Sequence, residues 1–378
     1  MGIYLDNSAT TQTGKKAKEK MLEAIDDCWG NPSSFHSCGI KAFDMLENAR
    51  KILAEKLGCQ SDEIFFTPGG TYSNNIAILG AVNAQKRKGK KIVTTCVEHP
   101  SVENVMKKLE NDGFEVIRLK VDENCKISKR DLIDAIDENT ILVSMMMVNN
   151  EVGSIMPIES IRKIVKSKNS PALIHCDAVQ GFGKIDIDVN ALGVDMLSVS
   201  SHKIHGPKGA GALYIKKGVR IVSPIFGGGQ EKDIAPGTQA IPAIAGFAGA
   251  VEELDLNLKK TNGRIAELRD YFVEEIKKID GIKINSPSDA LAYIVNFSTD
   301  GILSQPMINF LSQNGVYVSG GSACAKGHRS GVLTEMGLPV ERIDCAIRVS
   351  FSKNTTHKEL EETVRLIRLA TKKIRKAG

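Results

Sequence analysis

Short apolar runs punctuate the first part of the chain, and each ends abruptly in small or polar residues. "EIFFT" (63–67) leads into Pro-Gly-Gly-Thr, "KIVTTCV" (91–97) into Glu-His-Pro, and "ILVSMMMV" (141–148) into Asn-Asn-Glu. "ALIHCDA" (172–178) leads into Val-Gln, and "DMLSVSS" (195–201) into His-Lys. "EVIRLKV" and "GALYI" are runs of the same kind. Apolar runs of this length fit strands buried on both faces. Helical spacing fills the gaps over about Ser73–Lys88, Ser101–Asn111 and Ile158–Lys168. The alternation predicts an α/β domain around a mainly parallel central sheet. Ligands of such sheets bind beyond the carboxyl ends of the strands. The polar residues that follow each run are therefore the candidates.

From Ile244 to Asp280 the pattern changes. Val251, Leu254, Leu258, Ile265, Leu268, Phe272, Ile276 and Ile279 are spaced for one face of a single long helix, which Gly263 need not break. This helix is expected to lead into a smaller α+β domain with strands "AYIVNFS", "VYVS" and "AIRVSFS". A last helix opens with the capping box Thr356 to Glu359. The expected division is a large domain over residues 15–255 and a small one over 1–14 and 256–378.

A chain of 378 residues has room for two domains. Its net charge of +5 is spread, with clusters at "QKRKGKK" and "TKKIRKAG" that read as exposed helix ends, so direct nucleic-acid binding is not expected. The eight cysteines form no C-x-x-C pair, which argues against a structural zinc site, and no metal is expected. Scattered cysteines, and an opening "MGIYLDNSATTQ" without a basic and apolar leader, predict a cytoplasmic protein. The apolar runs are too short to span a bilayer, so no membrane role is expected.

The strand ends carry the chemistry. Gly70 and Thr71, ahead of a helix, could hold a phosphate on its unpaired N–H groups, or form a plain glycine turn. His99 could stack on a flat ring or move protons, or be structural. Asn150 ends an apolar run. Asp177, at the end of a buried strand with Gln180 three residues on, needs a partner such as a cationic ring nitrogen. Ser200, His202 and Lys203 end the next run, where Lys203 is either a loop lysine or an amine placed to react. A phosphate cradle, a ring-stacking His, a carboxylate and a lysine together fit one ligand, pyridoxal 5′-phosphate. Burial and nearby positive charge should then lower the amine pKa of Lys203.

A second signal is "YVSGGSACAKGHRS". Cys324 lies in a Gly, Ser and Ala loop that should be mobile, near Lys326, His328 and Arg329, which could favour its thiolate. It is a nucleophile or a plain loop thiol; the other cysteines read mostly as core residues. Arg348, inside an apolar strand, needs a partner if buried: a substrate carboxylate or an internal salt bridge.

The motifs "YLDNSATT", "GNPSSFH", "FTPGGT", "VEHPSV", "NNEVG", "HCDAVQ", "SSHKIHGPKGAGALY", "GGGQE", "SGGSAC" and "IRVSF" span essentially the whole chain. Together they resemble the NifS/IscS-type cysteine desulfurases of the class V aminotransferase family. The resemblance implies the type I fold of PLP-dependent transferases and the conversion of L-cysteine to L-alanine. It implies that Lys203 is joined covalently to the cofactor, that His99 stacks on its ring and helps proton transfer, and that Asp177 pairs with the pyridine nitrogen. Asn150 and Gln180 would contact the ring hydroxyl region. Gly70, Thr71, Ser200 and His202 would form the phosphate site, joined by Thr238 from the other subunit of a homodimer. Asn150 and Arg348 would meet the substrate carboxylate. Cys324 would take the sulfur as a persulfide and pass it to an acceptor, such as an iron–sulfur scaffold or a tRNA thiolation enzyme. Tyr72, Ala235 and Gly320 depart from the family pattern, and the stretch after Cys324 is shorter. Selenocysteine lyase activity, another class V activity, or a catalytically weak sulfur-transfer partner are the alternative readings.

Overall fold

The computed structural model describes residues 2–254, 258–320 and 329–374. Its largest sheet joins β2 (Ile64–Thr67), β3 (Lys91–Thr95), β4 (Glu115–Leu119), β5 (Thr140–Met146), β6 (Leu173–Asp177), β7 (Met196–Ser200) and β8 (Gly211–Ile215). Their spatial order is β2-β8-β7-β6-β5-β3-β4. Strands β7, β6, β5, β3 and β4 pair in parallel, while β8 runs antiparallel to both of its neighbours. Only ten residues separate β7 from β8. That is too short for a parallel crossover, which needs a dozen or more. Since β2 and β7 both oppose β8, all strands of the sheet but β8 point the same way. The ends of β2, β3, β5, β6 and β7 therefore open on one edge. Strands β2, β5, β7 and β8 are buried at every position, which is why they read as continuous apolar runs. Each Val, Ile or Leu so buried contributes about 1.5–3 kcal/mol.

Helices α1 (Lys15–Asp27) and α2 (Ser37–Leu57) precede this sheet. Helix α3 (Gly70–Gln85) follows β2, α4 (Pro100–Asn111) follows β3, and α5 (Lys129–Ala135) follows β4. Helix α6 (Ile158–Ser167) follows β5, and α7 (Val189–Leu192) lies between β6 and β7. The N-cap of α3 is Gly69 at φ 153°, ψ 179°, a conformation reserved for glycine. The helix thus starts three residues before the expected Ser73 and takes Gly70 and Thr71 into its first turn. A Cβ at Gly211 would lie 2.7 Å from the Cα of Gly69, so Gly211 serves the close passage of this turn over β8.

The single helix expected over Ile244–Asp280 is two, α8 (Ile241–Glu252) and α9 (Leu258–Lys277). The first closes when the N–H of Glu253 bonds the carbonyl of Gly249, and that of Leu254 bonds Val251. Gly263 does sit inside α9, which buries Ile265, Leu268, Phe272 and Ile276.

A smaller antiparallel sheet has the order β12-β10-β9, from β9 (Ile282–Ile284), β10 (Ile294–Thr299) and β12 (Ala346–Ser350). Strand β1 (Ile3–Tyr4) pairs in parallel with β11 (Val316–Tyr317), and Asp6 bridges to Ser350. These contacts carry the start of the chain onto the elements near its end. Helices α10 (Ser304–Gln313), α11 (Gly331–Glu335), α12 (Val340–Asp344) and α13 (His357–Lys373) complete the order. The Thr356–Glu359 capping box is present at the start of α13. Among the described residues no helix is long and apolar enough to cross a membrane.

Between β8 and α8, Glu231, Lys232 and Asp233 hold φ of 49°, 53° and 64° in succession. Left-handed backbone at non-glycine residues costs about 1–2 kcal/mol each. A buried ion pair holds the turn in place. The Oε2 of Glu231 accepts from Arg50 Nη1 at 2.7 Å and from the N–H of Phe66 at 2.8 Å, while its Oε1 accepts from Arg50 Nη2 at 2.9 Å. Gln239 Nε2 donates to the same Oε1 at 3.1 Å, so this pair anchors both ends of the loop that carries Thr238. Glu231→Ala removes the buried carboxylate and leaves Arg50 to Glu47 and the carbonyl of Ile64. It is expected to lower stability by about 1.5–3 kcal/mol, read as a fall in the midpoint of chemical unfolding.

Candidate active site

Each strand end delivers its side chain to the shared edge by a local device. His99 is the N-cap of α4, with Pro100 at the first helical position. Its Nδ1 accepts the N–H of Ser101 at 3.1 Å and lies 2.8 Å from Ser101 Oγ. Burial, opposed by Asp177 and reinforced by Lys203, keeps its pKa below the ordinary value. Asp177 is the last residue of β6 and is buried. Its Oδ1 accepts the N–H of Val179 at 3.0 Å, and its Oδ2 accepts Asn74 Nδ2 at 2.7 Å. The same Asn74 Nδ2 donates to Ser101 Oγ at 2.9 Å, so Asp177 and His99 belong to one network.

Lys203 follows β7 in a single 3-10 turn. Its Nζ donates to the carbonyl oxygens of Ser8 at 2.5 Å and Ala9 at 2.9 Å. Gln180 Nε2 donates to the same Ser8 oxygen at 2.9 Å, which sets Lys203 and Gln180 side by side. The Oε1 of Gln180 accepts Lys184 Nζ at 3.3 Å. Lys184 is buried; burial, with help from the charges of Lys203 and Arg348, pushes its pKa down to about 7. It fixes which way the Gln180 amide faces, since a flipped amide would turn its NH2 toward the amine.

A cradle lies beside these groups. A Cβ at Gly70 would fall 2.7 Å from Val179 Cγ2 and 3.6 Å from Ser200 Cβ. The first turn of α3, with its unpaired N–H groups, thus faces the end of β7. Thr71 is exposed on that turn, and its carbonyl accepts Asn75 Nδ2 at 2.8 Å. Ser200 is buried. His202 Nδ1 lies 3.1 Å from Thr10 Oγ1, and burial beside three lysines pushes its pKa down to about 4. The other histidine of that loop, His205, takes φ 68° and donates from Nδ1 to the carbonyl of Gln12, which is a structural use.

Arg348 is 1% exposed in β12. Its Nη2 pairs with Asp6 at 2.8 Å and its Nη1 donates to the carbonyl of Asn150 at 3.0 Å. An internal salt bridge is therefore present, and it sets the guanidinium against Asn150. Thr238 is exposed on the loop pinned by Glu231, and among the described residues the network above does not include it. Cys324, Lys326 and His328 lie outside the described residues. Arg329, expected to favour the thiolate, directs its guanidinium to Asp344 at 2.8 and 3.0 Å. Burial pushes the Cys59, Cys96 and Cys125 thiols up to about 12, and Cys176 and Cys345 also upward, so none of these supplies thiolate near neutral pH.

Sequence reasoning missed Asn74, Ser101, Lys184, Asp6 and the carbonyls of Ser8 and Ala9. Asn74 had one visible signal, an Asn pair in the otherwise apolar helix "SNNIAILGAV". It also missed Glu98, next to His99. Its Oε1 accepts Thr95 Oγ1 at 2.7 Å and the N–H of Met146 at 2.9 Å, and burial pushes its pKa up to about 8. The folded state then holds a proton that an unfolded carboxyl, with pKa near 4.3, has already released. That contribution is full below about pH 4 and falls as pH rises toward 8. Glu98→Gln removes the titration. The variant should gain stability relative to wild type, by up to a few kcal/mol, when urea unfolding is compared at pH 5 and pH 8.

The class-V aminotransferase family model matches residues 3–363. A cysteine desulfurase IscS of Dictyoglomus turgidum is 41% identical over 99% of this chain and 95% of its own length. A solved NifS-like protein superposes with a TM-score of 0.94 at 37% identity, covering 99% of this chain and 100% of that one. The structure of SspA in complex with cysteine superposes with a TM-score of 0.82 at 33% identity, covering 94% and 100%. Strand order, site and relatives agree: the chain belongs to the class-V aminotransferase family, in its NifS/IscS cysteine desulfurase branch.

Proposed function

We propose that the chain is a pyridoxal 5′-phosphate-dependent cysteine desulfurase that takes sulfur from L-cysteine onto Cys324 and passes it to an acceptor. The observation that carries the reading is the convergence of Lys203 and Gln180 on one carbonyl, beside a buried Asp177 joined to His99. These donors fit the cofactor. Asp177 offers a carboxylate to a pyridinium N–H, and Gln180 has a second amide hydrogen for the ring hydroxyl. Thr71, Ser200, His202 and the N–H groups at Gly70 offer donors to a phosphate. When bound, the cofactor supplies an aldehyde for amines and a charged ring that stabilises negative charge at the substrate Cα.

The chain's own groups do the rest. Lys203 Nζ holds the cofactor between turnovers. Once the substrate amine has taken its place, it removes the Cα proton. The Ser8 and Ala9 carbonyls keep that amine in position. His99 accepts at Nδ1, so its mobile proton sits on Nε2. Arg348 and Asn150 receive the substrate carboxylate. The Cys324 thiolate bonds to the substrate sulfur, and the carbon–sulfur bond breaks with its electron pair left to the β-carbon. That carbon takes a proton to become a methyl group, and Lys203 returns a proton to Cα to complete alanine.

We assign residues 15–255 to cofactor binding and residues 1–14 and 256–378 to the domain that carries the cysteine. A homodimer is supported by Phe35 at 98%, Phe226 at 92% and Trp29 at 71% exposure, apolar surface that a second copy would cover. Thr238, presented on its pinned loop, would then reach the partner's phosphate site. The acceptor is an iron–sulfur scaffold or a tRNA thiolation enzyme. The cytoplasm is the compartment that suits the seven free thiols of the described residues.

Cys324→Ser is expected to retain the bound cofactor and its visible absorbance, yet to form alanine from L-cysteine at least about 100-fold more slowly. Alanine assay and absorbance spectra of the two proteins check this. Unchanged turnover in the variant contradicts the assignment.

A further inference from the structure

We propose that Asn74 is a positioning residue that aims Asp177 and, through Ser101, sets the proton pattern of His99. The inference rests on the roles proposed above for Asp177 and His99. Asn74 lies in the first half of α3 and is 1% exposed. Both hydrogens of its Nδ2 are committed, to Asp177 Oδ2 at 2.7 Å and to Ser101 Oγ at 2.9 Å. The amide cannot turn over, because its oxygen would then face the Asp177 carboxylate. Its Oδ1 is buried and has no hydrogen-bond partner among the described residues. Buried polar atoms are almost always paired, and an exception calls for a reason. Here the reason is directional: one acceptor is left unmatched so that one donor fixes Asp177 and the other fixes the Ser101 hydroxyl beside His99.

The second link follows from hydrogen counting. Ser101 Oγ accepts from Asn74, and its own hydrogen goes to His99 Nδ1 at 2.8 Å because that nitrogen is already an acceptor. The N–H of Ser101 already donates to that nitrogen at 3.1 Å. A nitrogen that accepts two donors carries no proton, so the ring stays neutral with its hydrogen on Nε2. The charged groups acting on the ring are Asp177, from β6, and Lys203, from the turn after β7. Without Asn74 the Ser101 hydroxyl loses the donor that orients it, its bond to Nδ1 weakens, and the Ser101 N–H is left as the remaining donor to that nitrogen, so protonation of the ring becomes easier. Asp177 Oδ2 loses the donor that fixes its rotamer. A carboxylate free to rotate grips a pyridinium nitrogen less well, so both consequences trace to one side chain.

The test uses the full-length holoenzyme and the variants Asn74→Ala and Ser101→Ala. His99 is titrated by NMR with histidine-selective labelling, and release of the cofactor is followed by absorbance. Both variants should raise the His99 pKa by about 0.5–1 unit, toward its ordinary value near 6.5. Only Asn74→Ala should also weaken cofactor binding, by about tenfold. In Asn74→Ala kcat should fall about tenfold or more, with KM within about threefold of wild type. His99 titration as in wild type in both variants, with only thermal stability changed, overturns the proposal. If Asn74→Ala fails to fold, an unshifted His99 in Ser101→Ala overturns it alone. Failure of the underlying reading looks different: wild type itself would not bind the cofactor, or His99→Ala would keep full activity.

Discussion

The site depends on a short stretch of chain, Asp6 to Thr11, laid between the two sheets. On one side it is fastened to β12: Asp6 pairs with Arg348, Asn7 Nδ2 donates to the carbonyl of Ser350, and the N–H of Ser8 donates to Ser350 Oγ. On the other side the Ser8 carbonyl receives Lys203 and Gln180 together. Ala9 takes a second hydrogen from Lys203, and Thr11 bonds the carbonyl of His202 and the N–H of His205. Carbonyl oxygens suit this task. They accept hydrogens from the amine without placing a carboxylate charge beside it, so they hold its position. Strand β12 and the turn that carries Lys203 are thereby registered to one another through about six residues.

Electrostatics follow from how deep the edge lies. Burial keeps His99, His202 and His205 below their ordinary pKa, so these rings act as directional donors and acceptors rather than as charges. The same burial suppresses thiolates at Cys59, Cys96, Cys125 and Cys176. A protein that handles reactive sulfur gains from this, because stray thiolates would compete for it. Lys184 is the one other amine drawn into the site's hydrogen bonds among the described residues, and it is directed to the Gln180 amide.

Much of this was legible in the chain because strands buried on both faces leave uninterrupted apolar runs, and the residue after each run then stands out. Lys203, Asp177 and His99 were visible for that reason. The reversal of β8 was also implicit, since ten residues cannot carry a crossover. What could not be read was pairing across the fold. Asn74 lies 27 residues from Ser101 and 103 from Asp177, and no local pattern announces such a meeting. Lys184 looked like any lysine beside a glycine. Strand β1 is two residues long, too short for a period to show. The break after Glu252 was hidden because the apolar spacing continues through Leu254 and Leu258, while the end of the helix is decided by backbone hydrogen bonds.

The account stands on a particular amine, one of two that approach Gln180. Reduction of the cofactor-loaded protein with borohydride fixes any such linkage permanently, and peptide mass mapping then locates it. The account predicts the added mass on the peptide containing Lys203 and on no other. Added mass at Lys184, or none on any lysine, would contradict it.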